Sequence, residues 1–300
     1  MRRVLAAVGL FCALGLLSAV SAAPAGKEKP TQLLYPTIQD GRVQLVLIDL
    51  KGGDPKSLTE GDGNYTDPAS SPDGKKIAFA STRGGARAIY VMDADGGNVK
   101  QLTKESETPD RLPTWSADGK KIAFSREEGR TWHIYVMDAD GGNQTNLTKS
   151  DGRDADPAWS PDGKKIAFAS RRTGGYRVHV MDADGSNVKD VSGSDNPNGY
   201  TYPAWSGDGK KIYYTDVVGD DLEIFVCDAN GENKKQLTKL GGVNTHSACS
   251  PDGATVAFQH FTLGDNAASL YVMDSDGGNT KELVKGKGLI EGGRPAWKSR

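Results

Sequence analysis

The chain is poor in the residues that most often carry chemistry. Three cysteines and four histidines are spread over 300 residues. Cys12 falls inside an N-terminal apolar run, so only Cys227 and Cys249 belong to the body of the chain, and a disulfide-built scaffold is excluded. His133, His179, His246 and His260 share no metal-ligand spacing. A Gly-x-Ser-x-Gly elbow, a His-Glu-x-x-His helix and a phosphate-cradling glycine loop are all missing. Neither sign of charge dominates, with 37 basic and 39 acidic residues, which argues against nucleic acid as a partner. Long hydrophobic runs are lacking except Val4 to Leu17, which follows Arg2 and Arg3 and precedes Ser18, Ala19, Ser21 and Ala22. That run is shorter than the roughly 20 residues a membrane-spanning helix needs. Residues 1–22 therefore read as a secretory signal peptide and 23–32 as a polar leader, with a periplasmic or secreted product that keeps no membrane span.

What the chain does contain is repetition. A β-rich run ending in an acidic residue recurs at Asp49, Asp93, Asp138, Asp182, Asp228 and Asp274, a spacing in the mid-forties. Between these marks, Ser-Pro-Asp-Gly turns stand at Ser71, Ser160 and Ser250, with Ser-Ala-Asp-Gly at Ser116 and Ser-Gly-Asp-Gly at Ser206. Proline sets φ near −65° and glycine accepts positive φ, so each is a turn with a mechanism. Lys164 to Ser170 and Arg177 to Asp182 are β-rich and apolar at almost every position, as expected of strands covered on both faces. Asp182-Ala183-Asp184-Gly185 closes the next turn. Its relatives at Asp93 and Asp138 look superficially like calcium loops, but glycine comes at the fourth position and no glutamate at the twelfth.

Six copies at this period specify an all-β fold, a six-bladed β-propeller of four-stranded antiparallel blades spanning residues 33–300. The first copy, from Leu33, lacks an opening strand, and the chain ends on an opening strand with no successor, Arg294-Pro295-Ala296-Trp297. The two ends are expected to share one blade, the C-terminal strand joining the N-terminal sheet. One closed ring leaves no exposed end to recruit a second copy, so a monomer is expected. Cys227 replaces the methionine of other copies and Cys249 the tryptophan, and both are expected as free thiols in core positions.

Trp-Ser-Pro-Asp-Gly-Lys-Lys-Ile-Ala-Phe, then Val-Met-Asp-Ala-Asp-Gly, then Gln-Leu-Thr, resembles the propeller repeat of the Tol-system translocation protein family, TolB. The resemblance runs from Leu33 to Trp297. It implies a six-bladed periplasmic propeller that docks partner proteins, notably the peptidoglycan-associated lipoprotein Pal, over one end of its channel. The full-length family member carries an α/β domain ahead of its propeller; the expectation here is a propeller standing alone.

The copies diverge in the loops entering the opening strands, and divergence within a repeat is where specificity can reside. The candidate partner-binding residues are Tyr65, Asp67, Asp110, Arg111, Asp154, Asp156, Tyr200, Tyr202, Asn244, His246 and Arg294. They mix carboxylates, guanidinium, imidazole and phenols suited to a peptide segment or polar ligand. No cofactor is expected, apart from a calcium ion that Asp67, Asp110 and Asp156 together would attract. The favoured function is a non-enzymatic propeller binding an envelope protein or a Pal-like lipoprotein. The alternative is a carbohydrate-binding or lyase-type propeller, for which His246 is the one histidine well placed in the channel.

Overall fold

The structure, a computed structural model, describes residues 31–104, 108–193, 201–262, 268–286 and 293–299. The signal peptide and leader expected over 1–32 therefore fall almost wholly outside the described residues. Within them every regular element is a strand. No helix there is long and apolar enough to cross a membrane.

Six four-stranded units follow one another along the chain. Tyr65–Ser70, Lys76–Ser81, Ala88–Asp93 and Lys100–Gln101 form the second sheet, each strand pairing with the next. The third and fourth sheets repeat the plan from Asp110–Trp115 and Asp154–Trp159. The fifth and sixth, opening at Ala204–Trp205 and Val243–Cys249, are linked by a single parallel pairing of Leu222 with Val243. The first sheet is the composite one. Its order places Ala296–Trp297 beside Gln32–Gln39, then Arg42–Asp49, then Lys56–Ser57. Leu33 lies opposite Trp297 and Leu34 opposite Ala296, so the last described strand is the innermost member of the sheet that the chain's beginning builds.

The sheets hold together through alternation along their second strands. In Ile77-Ala78-Phe79-Ala80, Ile77 and Phe79 pack towards the first sheet, against Leu34, Leu45 and Leu47. Ala78 and Ala80 face the other way, receiving Ile122 and Phe124 of the third sheet. At four of the six interfaces the bulky pair of one sheet enters the small-residue face of the sheet before it, while Leu34 and Tyr213 fill that place in the first and fifth sheets. Ala123 meets Ile166 and Phe168, Ala167 meets Ile212 and Tyr214, and Tyr213 meets Val256 and Phe258. The sixth interface joins Ala257, Leu270 and Val272 to Leu33, Tyr35 and Trp297 of the first sheet. Three of the indoles add a hydrogen bond from Nε1 to a carbonyl one sheet back: Trp115 to Ala69 at 3.0 Å, Trp205 to Ala158 at 2.9 Å and Trp297 to Ala248 at 2.8 Å. Trp159 instead donates to Gly163 in its own turn.

The turns are built as their sequences require. Ser71 Oγ donates to Asp73 Oδ1 at 2.6 Å and accepts from the Lys76 amide at 2.9 Å, closing the turn from both sides. The same pair of bonds recurs at Ser116, Ser160, Ser206 and Ser250. In the outer turns Asn143 adopts φ 52° and its amide donates to Asp138 at 2.6 Å, the left-handed conformation that asparagine tolerates. Gly141, at φ 98°, passes the neighbouring sheet so closely that a Cβ would lie 2.6 Å from the Leu102 carbonyl oxygen. These loops are structural turns. Cys227 and Cys249 are both free; Cys227 is buried between the fourth and fifth sheets, and Cys249 is half-buried between the fifth and sixth.

Because the final strand completes both a sheet and an interface, Trp297→Ala is expected to lower stability by roughly 3–5 kcal/mol, read from the urea midpoint. Val218→Ala, at a position 40% exposed, should leave that midpoint nearly unchanged.

Candidate functional site

Antiparallel pairing decides which loops meet. The start of each opening strand lies opposite the end of the second strand: Tyr65 faces Ser81, Asp110 faces Arg126, Asp154 faces Ser170 and Asn244 faces His260. The hairpins joining second to third strands consequently return to the same side as the entry loops. The Ser-x-Asp-Gly turns lie at the opposite side. The central channel thus has two chemically different ends. One is a cavity of about 760 Å³ lined by Pro72, Pro113, Trp115, Pro161 and Trp297 among others. The other, of about 450 Å³, is lined by Asp67, Arg87, Arg111, Trp132, Asp156, Tyr202 and His246 among others.

A bulge in the opening strand selects what the second cavity sees. Pairing slips between Thr66 and Ala69, Arg111 and Thr114, Ala155 and Ala158, and Thr245 and Ala248. The residue at the slip takes positive φ: Asp67 54°, Leu112 55°, Asp156 57° and His246 54°, with Tyr202 at 37° in the fifth sheet. This region is uncommon for residues other than glycine and least favourable for bulky ones such as Leu112 and Tyr202. Its recurrence at matched positions shows that the tertiary frame imposes it. The bulge turns these side chains off the sheet and into the channel.

The sequence-derived candidates divide accordingly. Asp67, Arg111, Asp156, Tyr202 and His246 line the cavity. Arg294 lines the other end yet interacts electrostatically with Asp67, Asp156 and His246, which places it at the waist of the channel. The residues two positions earlier in the strand do not join them. Tyr65 is packed in the interface between first and second sheets, and its hydroxyl donates to the Glu60 carbonyl. Asp110 is buried and held bidentately by Arg126, at 2.8 and 2.9 Å. Asp154, also buried, accepts from Ser150, Ser170 and Arg172. Asn244 is buried and donates to the carbonyls of Leu222 and Gly241. Tyr200 lies outside the described residues.

The three-carboxylate calcium arrangement is therefore not assembled: Asp110 faces Arg126, away from the channel. Among the described residues no group of three His, Cys, Asp or Glu side chains could hold a metal ion.

Burial governs the charges that remain. Asp156 is pushed up to about 6, chiefly by desolvation, with Arg294 opposing the shift and Asp67 adding to it. Burial raises Asp67 too, against the pull of Arg87. His246 is driven down to about 3 by burial and by Arg294, so it is neutral at physiological pH. Its ring lies 3.7 Å from that of Tyr202, and its Nδ1 contacts Thr245 Oγ1 at 3.2 Å.

Sequence reasoning missed Arg87, Trp132, Arg153 and Tyr176. All but Arg153 stand at or near the start of a third strand, where the copies also diverge, so the same divergence test applied to the second hairpin would have found them. The Arg111 and Arg153 guanidiniums lie over Trp132 at 5.5 and 5.6 Å, and Arg153 and Arg171 lie over Tyr176 at 6.0 and 5.1 Å. Buried Arg111 Nε and Thr201 Oγ1, both in cavity-lining residues, have no hydrogen-bond partner among the described residues.

Six packed sheets around a channel with one mouth of arginines and aromatic rings define a β-propeller repeat protein whose variable residues converge at that mouth. The family model described as TolB beta propeller domain matches residues 12–132 and 110–299, and the chain belongs to this family. It is 57% identical over 42 residues to the Tol-Pal system protein TolB of Geobacter metallireducens, a stretch covering 13% of this chain and 10% of that protein. It is 40% identical over 58 residues to the uncharacterized peptidase YuxL of Bacillus subtilis, covering 19% and 9%. The crystal structure of TolB from Acinetobacter baumannii superposes with a TM-score of 0.75 at 26% identity, over 90% of this chain and 67% of that one. The sequence matches thus span about a tenth of these relatives.

The Asp156 carboxyl titrates near 3.8 when solvated and near 6 when folded, so folding takes up a proton between those values and stability falls as pH rises through that window. Asp156→Asn is expected to flatten this slope between about pH 4 and 6 and to raise stability at pH 7 by up to about 3 kcal/mol, measured by urea unfolding across pH.

Proposed function

We propose that the chain is an exported, periplasmic, non-enzymatic propeller that binds a protein partner at the arginine-lined mouth. The observation carrying this reading is the contrast between frame and mouth. The turns and interfaces repeat almost unchanged, whereas the six side chains aimed into the channel, Asp67, Leu112, Asp156, Tyr202, His246 and Arg294, are nearly all different. A frame repeated for stability with a mouth freed from repetition suits recognition. Membership in the TolB propeller family supports an envelope partner, and a lipoprotein of the Pal kind fits the Tol-Pal name of the Geobacter relative.

Among the described residues no group of three His, Cys, Asp or Glu side chains offers the metal site a lyase-type propeller would use. His246, the histidine best placed for it, is held neutral by burial against Tyr202, and its Nδ1 is engaged by the buried Thr245 hydroxyl. Asp67 and Asp156 lie among arginines, which opposes a divalent cation.

Affinity capture from detergent-solubilised envelopes tests this. The tagged mature chain is expected to enrich one envelope protein, and the triple replacement Asp156→Ala, Tyr202→Ala, His246→Ala is expected to lose most of it while melting at a similar temperature. Unchanged capture by the folded triple variant rejects the mouth. Divalent-metal-dependent cleavage of a cell-wall or plant polysaccharide would assign the carbohydrate-active alternative instead.

A further inference from the structure

The mouth carries more cation than its own carboxylates can balance. Arg87, Arg111, Arg153 and Arg294 gather about Asp67 and Asp156, an excess of positive charge on a chain whose net charge is −2. Three arginines elsewhere, Arg126, Arg172 and Arg177, each form an ion pair with an aspartate at 2.8 to 2.9 Å. Among the described residues, none of the four mouth arginines stands within ion-pair distance of a carboxylate. Burial, and next to it the nearby Arg111 guanidinium, push the Arg87 guanidinium below its usual range, the mark of a like charge close by in a poorly solvated place. Arg111 Nε and Thr201 Oγ1 are buried donors without partners, the feature a bound acceptor would relieve.

The rings of the mouth are already in use. Trp132 is 8% exposed and lies beneath Arg111 and Arg153; Tyr176 lies beneath Arg153 and Arg171; Tyr202 lies tilted against His246. Little bare aromatic face is left for a sugar ring. What the cavity offers is guanidinium groups pre-oriented on aromatic shelves, a geometry suited to carboxylates.

We infer that this mouth recognises an acidic peptide segment, its carboxylates received by Arg111 and Arg87 with Arg153 at the rim and Arg294 at the waist. The inference rests on the proposed protein-binding function and specifies the chemistry of the partner's contact segment. Lowering pH strengthens the site. Asp156, which faces Asp67, Arg111, Arg153 and Arg294, loses its charge near pH 6, whereas His246 stays neutral until about 3. The ligand's glutamates remain ionised above about pH 5.

The test uses the mature chain and a fluorescein-labelled oligoglutamate peptide followed by anisotropy, with oligoglutamine of equal length as comparison and oligogalacturonate as competitor. Oligoglutamate should bind at least roughly tenfold more tightly than oligoglutamine. Binding should weaken as salt screens the charges, with a Debye length of about 10 Å at 0.1 M, and tighten between pH 7 and pH 5. Arg111→Gln should weaken it roughly tenfold or more, Arg111→Lys should recover part of that loss, and Lys298→Gln at the far end of the channel should change nothing. If Arg111→Gln fails to fold, Arg87→Gln is read in its place. Equal binding of the two peptides, or full binding by the folded arginine variant, overturns the inference. Tighter saturable binding of oligogalacturonate than of oligoglutamate overturns it in favour of an anionic polysaccharide. Oligoglutamate failing to bind while the triple variant still loses its envelope partner removes the acidic ligand and leaves the protein-binding reading intact.

Discussion

The alternation of a bulky and a small side chain along the second strand of four of the six sheets is the constraint on which the rest of the molecule depends. A four-stranded sheet of this size has two apolar faces and no independent core, so it is stable only between neighbours. Ile77 and Phe79 need the wall of Leu34, Leu45 and Leu47, and Ala78 and Ala80 leave the space that Ile122 and Phe124 fill. Most interfaces repeat the exchange, and the last passes through Trp297 to the strand that began the chain. Stability therefore resides in the interfaces, and a defect in one is felt by the two sheets it joins.

That arrangement leaves the inner edges of the sheets free to vary. The four residues at the bulges, Asp67, Leu112, Asp156 and His246, and Tyr202 at the matching place in the fifth sheet occupy backbone conformations uncommon for residues other than glycine. The packed interfaces hold the frame, and the bulges spend a little of that stability on aiming side chains at the channel. The result is a channel mouth whose side chains differ from sheet to sheet while the turns and most of the core repeat. Burial of the same residues sets their charge states: Asp156 is poised near 6 and His246 is silenced, so the carboxylate, not the imidazole, is the group that titrates near neutrality.

Much of the fold was legible because its signals are local. Ser-x-Asp-Gly specifies a turn through its own hydroxyl and carboxylate, and five such turns at one period announce five hairpins before any packing is considered. The orphan opening strand at Ala296 and Trp297 was readable by subtraction, and it pairs with Leu33 and Leu34. The site was read less well, for a reason tied to the bulge. Tyr65, Asp67, Asp110 and Asp156 were grouped because all fall in the diverging entry loops, and residues two apart in a strand ordinarily share a face. The slipped register breaks that parity, sending Asp110 to Arg126 and Tyr65 into an interface while Asp67 and Asp156 reach the channel. Arg87, Trp132 and Tyr176 escaped notice because they lie on a different loop, brought to the same mouth only by the antiparallel return of the hairpin.

The sequence by itself determined the repeat, the number of sheets, the turns and the register that lets the two ends of the chain share one of them. All of these follow from short-range hydrogen bonding and from the spacing of apolar residues, which a linear string records. Only the tertiary structure decided which variable residues meet. Convergence on a channel axis joins side chains drawn from every sheet, and whether a given carboxylate ends in a core ion pair or in an open mouth depends on a bulge and on arginines contributed by neighbouring sheets. Such placement is a property of the assembled ring, where desolvation and field are set by groups distant in the chain.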